Sequence, residues 1–283
     1  MLDNWILYVV LYLGFAVAFN QFYKVATKTL TRPGALTVLL EVMAGISVLI
    51  CAPFFEFKFP TDIKVYIFLG IAIIFYTIAD RLNTTVRKGV EASTFSMLHQ
   101  LSTVFMTFAG LLFFKEPFVL TKFIGAILII VSNLIIFYQK GNGKFNKYVG
   151  LGILSNLSFT AALFLDVNIS DNFNLPFYVA MTLTIPAILI LIFERIKFSD
   201  IKQEFINGNK KAIIVTALTW GISILMQLRA YQLGNVSVVA PLCSLTVILN
   251  VIMGYFFLKE RDNLVKKIIS AVLIIISIVL IKI

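Results

Sequence analysis

The stretch Phe113-Phe114-Lys115-Glu116 returns as Phe257-Leu258-Lys259-Glu260, 144 positions later. Each copy closes a long apolar run, and each is followed after a short gap by another: Gly125 to Ser132 in the first case, Ser270 to Ser277 in the second. A chain that repeats its own ending in this way is a duplication. The two halves, residues 1–140 and 141–283, must then fold as variants of one unit. This constrains the architecture more than any polar motif does.

The medium follows from composition. The chain is 60% hydrophobic and 13% charged, with a mean hydropathy of +0.96, whereas a soluble domain is roughly 45–50% apolar. It belongs in a lipid bilayer. A net charge of +10 would suit a nucleic-acid partner only if the cations gathered on one patch or stripe. They lie instead in the short gaps between apolar runs, so no nucleic-acid partner is expected. The first run lacks the basic flank of a signal peptide and reads as a retained span. Cys51 and Cys243 each sit inside an apolar run, as small buried hydrophobes rather than a disulfide pair.

Ten segments are long and apolar enough to cross a bilayer. They run from Trp5 to Phe22, Gly34 to Phe55, Ile63 to Ala79, Val90 to Phe114, Val119 to Tyr138, Tyr148 to Leu165, Pro176 to Phe193, Ala212 to Leu228, Val236 to Leu258, and Val265 to Ile281. The longest gap, Glu194 to Lys211, is too small for a soluble domain. Five spans per repeat is an odd number, so the second repeat enters the membrane from the opposite side. The expected fold is all-α and integral to the membrane, ten transmembrane helices arranged as two inverted five-helix repeats. That arrangement recurs in secondary transporters, whose halves rock about a site near the midplane. Of the 24 Lys and Arg residues, 18 fall in the odd-numbered gaps and 6 on the other face. The positive-inside rule makes the richer face cytoplasmic and points both termini outward. A multi-pass protein of the plasma membrane is expected.

The segment Arg229-Ala-Tyr-Gln-Leu-Gly-Asn-Val-Ser-Val-Val-Ala-Pro-Leu-Cys243, running on to Phe256-Phe257-Leu258-Lys259-Glu260, resembles the ninth-helix pattern of EamA-type members of the drug/metabolite transporter superfamily. Gly89 to Met97, followed by Phe113 to Glu116, is the first-half copy. Met97 stands where Pro241 stands in the second half, and Ser270 where Gly125 stands in the first. The resemblance implies a secondary transporter with a small-molecule substrate. It also implies termini inside, opposite to the charge count.

Ionisable groups within spans mark functional sites by default. Counted from the basic face at about 1.5 Å per residue, Glu41 lies roughly 10 Å deep and His99 roughly 14 Å. Asn20, Gln100, Asn156, Trp220 and Asn250 fall at roughly 8–15 Å. This layer is the expected substrate site, with a few polar groups in an apolar wall. Glu41 is the first candidate for proton exchange or for neutralising a cationic substrate, and His99 is its candidate partner; the competing reading of both is interhelical packing. The three Asn side chains suit recognition or interhelical hydrogen bonds, and the Trp220 indole suits stacking or packing. One His and two distant Cys cannot build a metal site, and no cofactor is expected. Glu116 and Glu260, at helix ends, read as structural groups that hold an interhelical turn. Pro186 and Pro241, inside spans, read as hinges.

The leading function is a secondary transporter that works by alternating access and is open to proton coupling. No phosphate-binding Gly-rich loop with a following Lys is present for ATP. The layer carries no basic residue, so the reading favours a neutral, zwitterionic or cationic metabolite of amino-acid or amine type. The alternatives are an intramembrane enzyme, for which a serine–His99 pair stays open although no Gly-x-Ser-x-Gly elbow supports it, and a receptor or structural membrane protein. Duplication supplies two halves in one chain, so a monomer suffices, with a homodimer the other option.

Overall fold

The computed structural model describes residues 4–102, 104, 105, 119–137, 147–234, 239 and 242–282. Among these residues there are eleven α-helices and no strand. The first repeat holds α1 (Trp5–Thr27), α2 (Pro33–Leu49), α3 (Ile63–Gly89), α4 (Ala92–His99) and α5 (Leu120–Phe137). The second holds α6 (Lys147–Ile169), α7 (Leu175–Phe193), α8 (Phe198–Asn207), α9 (Lys210–Leu233), α10 (Thr246–Met253) and α11 (Leu264–Lys282). Ten of these answer to the ten predicted spans. The eleventh, α8, lies in the gap read as loop, where buried Glu204 and exposed Phe198 and Ile206 make it a short surface helix.

Local chemistry sets the helix starts. Asn4, Asp62, Asn174 and Asn209 each turn a side-chain oxygen onto a first-turn N–H of α1, α3, α7 and α9, satisfying donors that have no partner within the helix. Pro33 and Pro176 sit in the first turns of α2 and α7, where a missing N–H costs nothing. Helix α7 runs through Pro186 without interruption. Pro241, the other predicted hinge, lies outside the described residues, as does Glu116.

The pairing of helices shows the inversion. α1 packs on α9 as α6 packs on α3, α2 on α9 as α7 on α3, and α1 on α10 as α6 on α4. α2 meets α7, α4 meets α10 and α5 meets α11. Exchanging each helix for its counterpart in the other repeat maps this set of neighbours onto itself. Across the last of these pairs, the Ser132 and Ser270 hydroxyls each donate to the other's carbonyl at 2.9 Å. The outward faces of α3, α5 and α11 are apolar, with Ile67, Ile71, Ile74, Ile78, Ile124, Ile127, Ile268, Val272 and Ile276 exposed, as a lipid-facing surface requires. α1, α3, α6, α7 and α9 are each long and apolar enough to cross a bilayer alone.

At the centre, α2 crosses α7 and α9 at small residues, as closely packed membrane helices do. A Cβ on Gly221 would stand 2.4 Å from Val48 Cγ2 and 2.8 Å from the Ala44 carbonyl oxygen, backbone that has nowhere to go. Gly221→Val is expected to lower stability by about 1–3 kcal/mol. Gly14→Val is the control, since nothing lies within 4 Å of that site. Thermal unfolding in detergent checks the pair, and equal losses would show that helix propensity alone is responsible.

The helices also outrun the predicted spans. α3 continues ten residues beyond Ala79, to Gly89, and α6 runs past Leu165 to Ile169. The charges that were read as marking the edge of a span are instead accommodated inside the bundle. The fourth helix of each repeat, by contrast, is broken. α4 gives way to a turn at Gln100 before the helix resumes at Leu101, and α10 is preceded by a turn at Ser244 and Leu245. Gln100 and Ser244 are 144 positions apart, the spacing of the sequence duplication.

Candidate solute cavity

Between the repeats lies a cavity of about 300 Å³. It takes walls from α1, α3, α4, α6, α7, α9 and the residues entering α10, and both helix breaks, Gln100 and Ser244, line it. Its lining runs from Arg87, in the last turn of α3, to Asp166 and Val167 in the last turn of α6 and Tyr231 in that of α9. Because α3 ends at the basic face and α6 and α9 end at the other, the cavity reaches across much of the bundle.

The basic end is laced together by hydrogen bonds and ion pairs. Lys24 Nζ donates to the carbonyls of Arg87 (2.8 Å) and Lys88 (3.2 Å), and Lys88 Nζ to that of Leu30 (3.1 Å). Arg81 pairs with Glu194 and Arg32 with Asp200. Glu204 on α8 accepts from the backbone N–H groups of Thr31 (3.0 Å) and Arg32 (2.6 Å). Glu260, from the second repeat, accepts from the N–H groups of Ala92 (2.7 Å) and Ser93 (3.2 Å) at the start of α4 and from the Ser93 hydroxyl. This is the structural role expected of Glu260, exerted on the other repeat. Many of the cations that set the charge asymmetry thus also bind helix ends together.

Of the residues placed in the predicted layer, Asn20, His99, Gln100 and Trp220 line the cavity. Asn20 Nδ2 donates to the Ala16 carbonyl one turn back at 3.0 Å. Trp220 packs on Phe19 and Tyr23, with ring centroids 5.3 and 5.8 Å away. Asn156 stands behind His99. Its Nδ2 donates to the Gly152 carbonyl (2.7 Å), so its Oδ1 accepts, and His99 Nδ1, at 2.8 Å, carries the hydrogen. Asn250 is fully buried between α1 and α4, bonded to Gln21 Nε2 (3.1 Å) and the Ser96 hydroxyl (3.2 Å). Glu41 is also fully buried, outside the cavity lining, and neither of its oxygens meets a well-aligned donor. Its neighbour is the carboxyl of Asp80, which does line the cavity.

Three charged groups of the cavity were missed. Asp80 and Asp166 each fall one residue beyond a predicted span edge, at Ala79 and Leu165, yet both lie within helices, the first in α3 and the second in α6. Asp166 accepts from the hydroxyls of Tyr76 and Tyr178, each at 2.5 Å. Arg87, counted among the loop cations, is buried and lines the cavity, so the expectation of a layer without a basic residue is also corrected. The signal was present: Tyr76, Asp80, Asn83 and Arg87 are spaced 4, 3 and 4, one face of a helix, and all four line the cavity.

No curated protein matches the chain. Among solved structures, one described as "Crystal structure of protein" superposes with a TM-score of 0.63 at 11% identity, covering 96% of this chain and 95% of its own, a likeness of fold. The sequence itself matches the EamA-like transporter family twice, over residues 4–138 and 146–283, one match for each repeat described above. With nearly its whole length matched, in two units that the helix pairing also delimits, the chain belongs to the EamA-like transporter family.

Proposed function

We propose that the chain carries a small organic solute across the plasma membrane by alternating access, binding it in the cavity between the repeats. One observation carries this reading. The fourth helix of each repeat breaks at an equivalent position and both breaks face the cavity, the pattern by which transporters of inverted repeats build substrate sites. The basic end is closed in this arrangement, and rocking of one repeat against the other would exchange which end is open.

The presence of Arg87 in the same cavity as Asp80 and Asp166 changes the reasoning about the solute. The cavity holds both signs of charge, which favours a zwitterion of amino-acid type within the range read from the sequence. A phosphate ester meets two aspartates for one arginine and is not expected to be carried. A catalytic reading gains nothing from these groups: His99 already gives its Nδ1 hydrogen to Asn156.

Glu41 behind Asp80 is the proposed proton site, since two adjacent carboxyls in a buried setting cannot both hold full charge without large cost. Reconstituted protein is expected to accumulate a labelled amino acid under an imposed pH gradient. Glu41→Gln and Asp80→Asn are each expected to lose accumulation while keeping counterflow exchange. Accumulation undiminished in both variants would remove the pair from coupling, and absence of flux for any amino acid, amine or nucleoside would remove the transport reading.

A further inference from the structure

Arg87 lies at the closed end of the cavity and is 4% exposed. Its guanidinium carbon stands 3.7 Å from the ring centroid of Phe95, 4.6 Å from that of Tyr23 and 4.8 Å from that of Phe19. These rings come from α4 and α1, so three faces of aromatic density surround one cation. Quadrupole attraction holds a guanidinium but satisfies none of its N–H groups. Nε and Nη1 are buried and donate to no acceptor.

That is an unusual state for an arginine, which stays charged and carries five donors in a planar fork matched to an oxyanion. Burying a donor without an acceptor is costly. The nearest acid on its own helix, Asp80, lies two turns away beside Glu41; its charge acts on Arg87 at a distance, but the two form no direct ion pair among the described residues. The helix end cannot relax to find another partner, because the Arg87 carbonyl is held by Lys24. Two nitrogens of the fork are thus buried without an acceptor among the described residues, at the basic end of the cavity.

We propose that Arg87 is the receptor for a single carboxylate of the transported solute, taken at the closed end of the cavity with the solute's apolar body against Phe19, Phe95 and Trp220. A monoanion is favoured over a phosphate because one guanidinium matches one carboxylate. A phosphate ester would bring close to two charges into a space already lined by two aspartates. The inference rests on the cavity being a solute site, as proposed above, and its test reads binding rather than flux, so the two can fail separately.

The test uses the purified full-length protein and follows apparent unfolding temperature against concentration of benzoate, phenylacetate and indole-3-acetate, each beside its neutral amide, with phenyl phosphate as the dianionic arm. At least one carboxylate is expected to raise the unfolding temperature saturably while its amide does not. Arg87→Gln is expected to weaken that binding by about 10- to 100-fold, from the loss of charge-assisted hydrogen bonds. Arg87→Lys should fall between, keeping the charge without the fork. Equal binding to Arg87→Gln, equal effects of acid and amide, a stronger effect of phenyl phosphate, or no shift with any carboxylate would each overturn the proposal. Should Arg87→Gln fail to fold, protection of Arg87 in the unmodified protein against phenylglyoxal by the same carboxylates, read by mass spectrometry, decides the matter: protection supports the site, and unchanged labelling removes it.

Discussion

Replacing Glu260 by alanine is expected to destabilise the protein by about 3–5 kcal/mol, the range for breaking a buried ionic cluster from one side. Helix α4 is preceded by Glu91 at its N-cap, whose own side chain supplies no capping bond. The first donors of that helix are served instead by Glu260, which arrives from the other repeat and is 7% exposed. Its removal orphans the N–H groups of Ala92 and Ser93, takes a negative charge from a helix N-terminus, and strips Lys267 of one of two carboxylates, the other being Glu91 at 2.5 Å. Glu260→Gln keeps one acceptor and should recover part of the loss. Lys267→Met in the Glu260→Ala background should recover more, because it removes the cation left behind, which is 2% exposed. The measurement is a double-mutant cycle in thermal unfolding. Additive effects of Glu260→Ala and Lys267→Met would show that the cluster does not act as a unit.

The same cluster shows what the sequence could and could not disclose. Architecture was legible because lipid imposes it: apolar runs of fixed length, five to a repeat, leave little choice but an inverted pair, and the self-consistent helix pairing follows. The structural reading of Glu260 was legible too, since a carboxylate at a helix end has few other uses. Arg87, Asp80 and Asp166 were not read because hydropathy treats the first charge as the edge of a span. In a bundle of ten helices a charge needs only a neighbour or a cavity, and α3 runs ten residues beyond Ala79 with Arg81 paired to Glu194 and Asp80 and Arg87 on the cavity. Depth along the helix picked out Asn20, His99, Gln100 and Trp220, which line the cavity. It had no means of telling the side of a helix that faces the cavity from the side that faces a neighbour, which is where Glu41, Asn156 and Asn250 point. The one rule that separates them, the spacing of Tyr76, Asp80, Asn83 and Arg87 along a single face, works only once the helix is allowed to continue through its charges.

Asp166→Ala is expected to cost about 2–4 kcal/mol, because it leaves two buried phenols without an acceptor at once. Tyr76 comes from α3 in the first repeat and Tyr178 from α7 in the second, and both hydroxyls converge on one carboxylate of α6, which is 1% exposed. The three helices are thereby joined near the end of the cavity opposite the basic face, where α3 packs on α6 as α1 packs on α9. Tyr76→Phe or Tyr178→Phe alone removes one donor to a charged acceptor and should cost about 1.5–3 kcal/mol. The diagnostic is non-additivity: once Asp166 is alanine, removing the Tyr76 hydroxyl eliminates a donor that already lacks a partner, so Tyr76→Phe should become neutral or stabilising in that background. An undiminished cost of Tyr76→Phe beside Asp166→Ala would mean that the phenol is held by something other than this carboxylate. Asp166→Asn separates geometry from charge. Its amide retains one acceptor oxygen but turns a donor toward the second phenol, so stability should fall less than with alanine, while the cavity loses one of the two aspartates that set its balance against Arg87.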